Sequence, residues 1–189
     1  MSVIKEKTKR KPYDFYATPI DVIENFMKYI DLNKYGNKIL DPGAGNGNIS
    51  TVIKKMYRWK NVTALEIREE EREKLKTFCN NVIIDNFLEI SNLEKYDIII
   101  GNPPYSLARE FVEKSLELLS ENGILVFLLR TSFLESKSRY EFWQKNPLSE
   151  LYVLSKRPSF TGKGTDSASY AWFIWDKSNK ENKQKIKVI

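Results

Sequence analysis

The residues best suited to chemistry are Asn102, Pro103, Pro104 and Tyr105, which directly follow the apolar run YDIIIG. Two consecutive prolines fix φ and remove two backbone donors, leaving a stiff loop whose carbonyls act as acceptors. Such a loop suits a target group that is purely a donor. A planar amino group meets that description, because its lone pair is delocalised and the nitrogen reacts poorly until both hydrogens are held and it is turned toward an electrophile. The side-chain oxygen of Asn102 and the carbonyl of Pro103 can hold those hydrogens, and Tyr105 can stack on a ring. Fixed acceptor dipoles would also stabilise positive charge as it moves onto nitrogen. No strong base is required, because the alkylated nitrogen is cationic and sheds its proton readily. Taken alone, the same four residues also fit a rigid turn capping a strand.

A second constellation lies upstream. In DPGAGNG, Gly43, Gly45 and Gly47 let the backbone approach a ligand closely, and Ala44 in the same loop is assigned to that ligand too. Dinucleotide sites use a similar loop for a pyrophosphate, but Asp41 and Pro42 are poor neighbours for a phosphate. Asp41 suits an ammonium, so a zwitterionic amino-acid end fits better. Glu66 stands about 20 residues on, at the end of the next apolar run, where a carboxylate can accept from two ribose hydroxyls. Asp85 can accept from an adenine amino group, and Phe87 can stack on that ring. Each has a plain reading by itself, a strand-end carboxylate or a core aromatic. Their order and spacing together describe a site for S-adenosylmethionine, whose sulfonium methyl is the electrophile the proline loop requires.

Short apolar runs alternate with amphipathic segments, the rhythm of an α/β fold. The spacing predicts a helix over PIDVIENFMKYI, with Thr18 as its cap and Pro19 at its first position. Strands follow at KIL, VTALEI, NVIID, YDIII, ILVFLL, ELYVLS and YAWFIW. Helices are expected at NISTVIKKMY, REEEREKLKTF, LAREFVEKSLELL and YEFWQKN. Near-continuous apolar strands separated by helices imply a mostly parallel sheet covered on both faces, with ligands at the carboxyl ends of its strands. Asp41, Glu66, Asp85 and Asn102 all stand at or just past such ends.

At 189 residues the chain fits one domain. No apolar run approaches the roughly 20 residues of a membrane helix, and no secretory signal is recognisable, so a cytoplasmic address is expected. One cysteine, Cys79, and no histidine argue against a disulfide, a metal centre or a histidine-based triad. The net charge of +6 is concentrated at the ends: residues 1–12 carry +4 and residues 176–189 carry +3, leaving about −1 between them. These ends read as basic tails over 1–12 and 177–189, flanking a domain over 13–176; they are either solvated or arms on a phosphate backbone.

With DPGAGNG, LEI, IIDNF and GNPPY in this order, the sequence resembles the class I S-adenosylmethionine-dependent amino-methyltransferases, above all the N6-adenine DNA methyltransferases. The resemblance runs from YATP to about residue 175. It implies a Rossmann-like fold of seven strands, mostly parallel, with the last antiparallel. It also implies cofactor contacts at Thr18, Pro19, Asp41, Gly43, Gly45, Glu66 and Asp85, and catalysis by Asn102 to Tyr105. Phe160 in RPSF looks like the aromatic that such enzymes pack on a flipped base; its plain alternative is an apolar anchor for the loop. Many relatives carry a separate target-recognition domain for which this chain has no room. Recognition is therefore expected from loops such as RTSFLESKSR and KRPSFTGKG, where Arg157 lies, from a homodimer partner or from a separate specificity subunit. The small size resembles phage or mobile-element enzymes. DNA is the favoured partner and RNA a possible one; a protein glutamine methyltransferase and a catalytically idle nucleic-acid-binding subunit are the alternatives.

Overall fold

A computed structural model describes residues 16–160, 164–181 and 183–189. The basic segment expected over 1–12 lies outside them. The elements in chain order are α1 (Ile20–Phe26), β1 (Lys38–Pro42), α2 (Asn48–Met56), β2 (Asn61–Glu66), α3 (Arg72–Lys76), β3 (Asn81–Ile84) and β4 (Tyr96–Gly101). They continue with α4 (Ala108–Leu118), β5 (Leu119–Arg130), α5 (Tyr140–Lys145), β6 (Glu150–Val153), β7 (Tyr170–Asp176) and β8 (Lys185–Val188).

The strands form one sheet in the order β3-β2-β1-β4-β5-β7-β6-β8. The chain starts in the middle of the sheet, runs out to β3, and returns to place β4 against β1, so the order reverses between β1 and β4. Pairing is parallel except where β7 inserts antiparallel between β5 and β6. This is the mostly parallel, doubly covered sheet expected of the class I methyltransferase fold. Alternate β4 residues serve opposite faces: Ile98 and Ile100 join Ile23, Phe26 and Ile53 of α1 and α2, whereas Ile99 joins Phe111 of α4 and Phe142 of α5. Both faces of the strands are apolar because both are buried.

Several expectations need correcting. The sheet has eight strands, not seven, because the segment read as a basic C-terminal tail contains β8, which pairs with β6 from Lys185 to Val188. Its exposed lysines have partners: Lys185 Nζ bonds to Glu150 Oε2 of β6 at 3.0 Å, and Lys187 Nζ stands 4.3 Å from the Tyr29 ring centroid. Helix α1 is shorter than its apolar periodicity, and its N-cap is Pro19, with no side-chain capping bond. The Thr18 hydroxyl is occupied elsewhere, as described below. The acidic run after β2 forms a short 3-10 turn, Glu69–Glu71, before α3 begins.

Candidate active site

The glycine loop leaves β1 at the reversal of strand order. Gly43 N and Ala44 N both donate to Leu65 O, at 2.8 and 2.9 Å, binding the loop to the end of β2. Gly45 has φ +58° and Gly47 φ +78°, a left-handed region that side chains resist. At Gly47 there is a second reason for glycine, since a Cβ would lie 2.3 Å from the Phe78 ring.

Beside this loop lies a cavity of about 510 Å³, within the range of small-ligand sites. Its walls include Thr18, Asp41, Gly43, Ala44, Gly45, Glu66, Asp85 and Phe87, the residues assigned to the cofactor from the sequence. Pro19 is the exception: it borders a separate depression on the same rim. Asn102 and Pro104 also line the cavity, whereas buried Pro103 does not.

The acidic groups occupy different environments. Asp41 is buried, its Oδ2 accepts from Ser50 Oγ at 2.7 Å, and its Oδ1 has no hydrogen-bond partner. Burial pushes its carboxyl up to about 7; the neighbouring Glu66 charge adds to this, and the Ser50 hydrogen bond opposes it. An unpartnered buried carboxylate oxygen is costly unless a ligand donates to it. An ammonium would do so, and the residues present therefore fit the amino-acid end of S-adenosylmethionine. Glu66 is also buried but firmly held: Oε2 accepts from Gly45 N at 2.6 Å, and Oε1 accepts from Arg68 N and Nε, both at 3.0 Å. Arg68 in turn pairs with Glu71 at 3.0 Å. Asp85 is exposed at the far end of the cavity, and Phe87 packs on Phe111 with centroids 4.9 Å apart. Ser50 and Arg68 were missed in the sequence. Neither type at its position carries a signal, because each matters only through the carboxylate it meets in space.

Asn102 stands just past β4. Its Nδ2 donates to Tyr16 O at 3.1 Å and to Thr18 Oγ1 at 3.0 Å, while its Oδ1 is buried without a partner. Asn48 Nδ2 holds the Thr18 carbonyl from the other side at 2.8 Å. Tyr105 enters an aromatic cluster rather than the cavity wall. Its ring lies near parallel to Tyr16, at 6.4 Å and 12°, and 5.4 Å from Tyr170. Phe160 closes the cluster at 5.8 Å from Tyr16 and 5.1 Å from Tyr170. The Arg130 guanidinium lies 5.1 Å from the Tyr105 ring centroid. Arg157 is exposed and borders the separate depression with Pro19.

This topology and cavity define the class I S-adenosylmethionine-dependent methyltransferase fold, with S-adenosylmethionine as the cofactor. A family model described as "Methyltransferase small domain" matches residues 20–161, and the chain belongs to that family. It is similar to the Type II methyltransferase M.CvrRI of Paramecium bursaria Chlorella virus XZ-6E, at 26% identity over 152 residues, 69% of this chain and 40% of that protein. It is 32% identical over 122 residues to a tRNA1(Val) (adenine(37)-N6)-methyltransferase of Flavobacterium johnsoniae, covering 48% and 52% of the two chains. A release factor glutamine methyltransferase of Streptococcus pneumoniae is 34% identical over 95 residues, 47% of this chain and 34% of its own length. The chain thus spans about half or less of the length of these relatives. Among solved structures, a Listeria monocytogenes protein described as a class I S-adenosylmethionine-dependent methyltransferase superposes with a TM-score of 0.68 at 15% identity, covering 90% of this chain and 64% of that one.

Proposed function

We propose that this chain methylates the N6 amino group of adenine in nucleic acid, with DNA the favoured substrate. The observation that carries the reading is the Asn102 side chain beside the cavity, pinned through Nδ2, with its Oδ1 buried and without a partner. S-adenosylmethionine supplies an electrophilic methyl group, transferred with the C–S electron pair remaining on sulfur. Asn102 Oδ1, with the Pro103 carbonyl, accepts the amine hydrogens and turns the nitrogen toward that methyl. Acceptor dipoles then stabilise the positive charge developing on nitrogen, and the extra proton leaves to water. Asp41 takes the cofactor's ammonium, Glu66 its ribose, and Asp85 with Phe87 its adenine; Thr18, Gly43, Ala44 and Gly45 complete that wall.

An adenine N6 held in this way cannot remain in a Watson-Crick pair, so the base leaves the stack at a cost of a few kcal/mol. Tyr105 and Phe160 recover part of that cost by stacking, worth roughly 1 to 3 kcal/mol per base. The aromatic cluster favours a flipped ring over a glutamine side chain, which offers an amide but no face to stack. Adenine in structured RNA is the second reading, favoured by the similarity to tRNA adenine-N6 methyltransferases. Labelled methyl from S-adenosylmethionine should be offered in parallel to duplex DNA, single-stranded DNA, tRNA and a glutamine-containing peptide. Label recovered as N6-methyladenine supports the proposal; label on glutamine alone overturns it.

A further inference from the structure

The depression that Pro19 borders has a volume of about 570 Å³ and shares no lining residue with the cofactor cavity of about 510 Å³. The two are neighbours all the same. Thr18 lines one and Pro19 the other, and Ser159 in the depression precedes Phe160, whose ring meets Tyr16 of the aromatic cluster. It opens beyond the carboxyl end of β6, on the rim that carries Asn102.

Its walls have three different chemistries. Lys156 and Arg157 are exposed on one side, and neither enters an ion pair among the described residues. Asp21 and Asn25, from the separate element α1, supply acceptors. Leu154 and Pro158 add apolar side chains to the lining. A nucleotide presents the matching set: an anionic phosphate, two flat apolar faces and a base edge with donors. A peptide backbone carries no anion of its own, whereas every nucleotide brings a phosphate for the lysine and arginine.

We propose that this depression binds the nucleotide next to the target adenine on the same strand, with its phosphate on Lys156 and Arg157 and its base edge toward Asp21 and Asn25. The proposal rests on the nucleic-acid reading above and extends it. A chain of this size then grips its substrate through a second unstacked nucleotide, with the target base and its neighbour held on one rim.

The test is the affinity of short single-stranded oligonucleotides containing one adenine, measured with the demethylated cofactor present. Adding one nucleotide on the correct side of the adenine should tighten binding by about tenfold, equivalent to one stacked base. The same addition on the other side should do much less. Asn25→Trp places an indole in the depression from the surface of α1. It should remove the one-sided step while leaving the shortest oligonucleotide's affinity and cofactor binding unchanged. Lys156→Glu should weaken the longer oligonucleotide and lower the slope of log affinity against log salt by about 0.7, the value for one single-strand phosphate. A wild-type protein with no one-sided step, or a step of the same size in Asn25→Trp, overturns the proposal. If adenine is methylated without such a step, the subsite alone fails. If only a glutamine peptide is methylated, the target assignment fails as well.

Discussion

Asn102 and Thr18 stand 84 positions apart and meet through a 3.0 Å hydrogen bond from Asn102 Nδ2 to Thr18 Oγ1. The bond engages the Nδ2 end of the amide and leaves Oδ1 as the free acceptor. An amide rotated by half a turn would present a donor to a target that has only donors, and the site would repel it. Thr18→Val keeps the shape of the side chain and removes that acceptor. The maximal rate should fall roughly two- to tenfold, the worth of one neutral hydrogen bond of about 0.5 to 1.5 kcal/mol. Single-turnover rates with saturating cofactor would measure this, and an unchanged rate would show that the Tyr16 carbonyl suffices.

On the proposed assignment of Asp41 to the cofactor's ammonium, cofactor binding should depend on pH. The Asp41 carboxyl is pushed up to about 7 by burial, so the folded protein keeps a proton that the unfolded chain has released. The stability this proton confers is present at low pH and is lost as pH rises through about 7. The ionised form is the one that pairs with an ammonium. Melting of the cofactor-free protein should therefore shift downward between pH 5.5 and 7.5, while S-adenosylmethionine affinity rises over the same interval. Asp41→Asn should flatten both profiles; a profile that persists in the variant would assign the titration to another group.

Glu66 holds Gly45 and Arg68 in place, and the proposal gives it a binding role as well. Glu66→Ala removes the acceptor for Gly45 N and for the Arg68 guanidinium, as well as the group assigned to the ribose. Cofactor affinity should drop by about 1.5 to 3 kcal/mol, the range for hydrogen bonds to a charged group. Calorimetry would detect it, and a parallel melt should show destabilisation even without cofactor. An unchanged dissociation constant would remove Glu66 from the ribose site.

The sheet was legible in the sequence because its strands are buried on both faces and read as unbroken apolar runs, as in YDIII and ILVFLL. The loop after β4 was legible as a stiff one because Asn-Pro-Pro-Tyr carries its rigidity within four residues. The arrangement around them was not. The Thr18 hydroxyl, a natural helix cap in the local pattern, is drawn to Asn102 only because β4 ends beside the entry to α1. Strand β8 escaped notice because alternating lysines in KIKV read as a solvated tail until β6 offers an edge to pair with. Likewise, nothing local marks Tyr16 as a neighbour of Tyr105; the contact exists only once the segment before α1 crosses the end of β4.

The glycine loop has a stability consequence independent of catalysis. Gly47→Ala requires a left-handed φ of +78° for alanine and drives a Cβ to 2.3 Å from the Phe78 ring. The strained backbone and overpacking should cost about 1 to 3 kcal/mol. Chemical denaturation of the cofactor-free protein would show a lower midpoint; an unchanged midpoint would mean that Phe78 moves aside and that alanine adopts the turn freely.

The central claim is that Asn102 Oδ1 holds the target amine and leaves cofactor binding to other groups. Asn102→Ala tests it by pairing two measurements on one protein: the single-turnover rate of methyl transfer and calorimetric binding of S-adenosylmethionine. The rate should fall by on the order of 10² to 10³, as when one preorganised polar contact to a transition state is removed. The dissociation constant should change by no more than about threefold, less than one tenfold step of 1.4 kcal/mol. A variant that still transfers methyl at the wild-type rate, or one that loses cofactor binding in proportion to rate, would contradict the assignment.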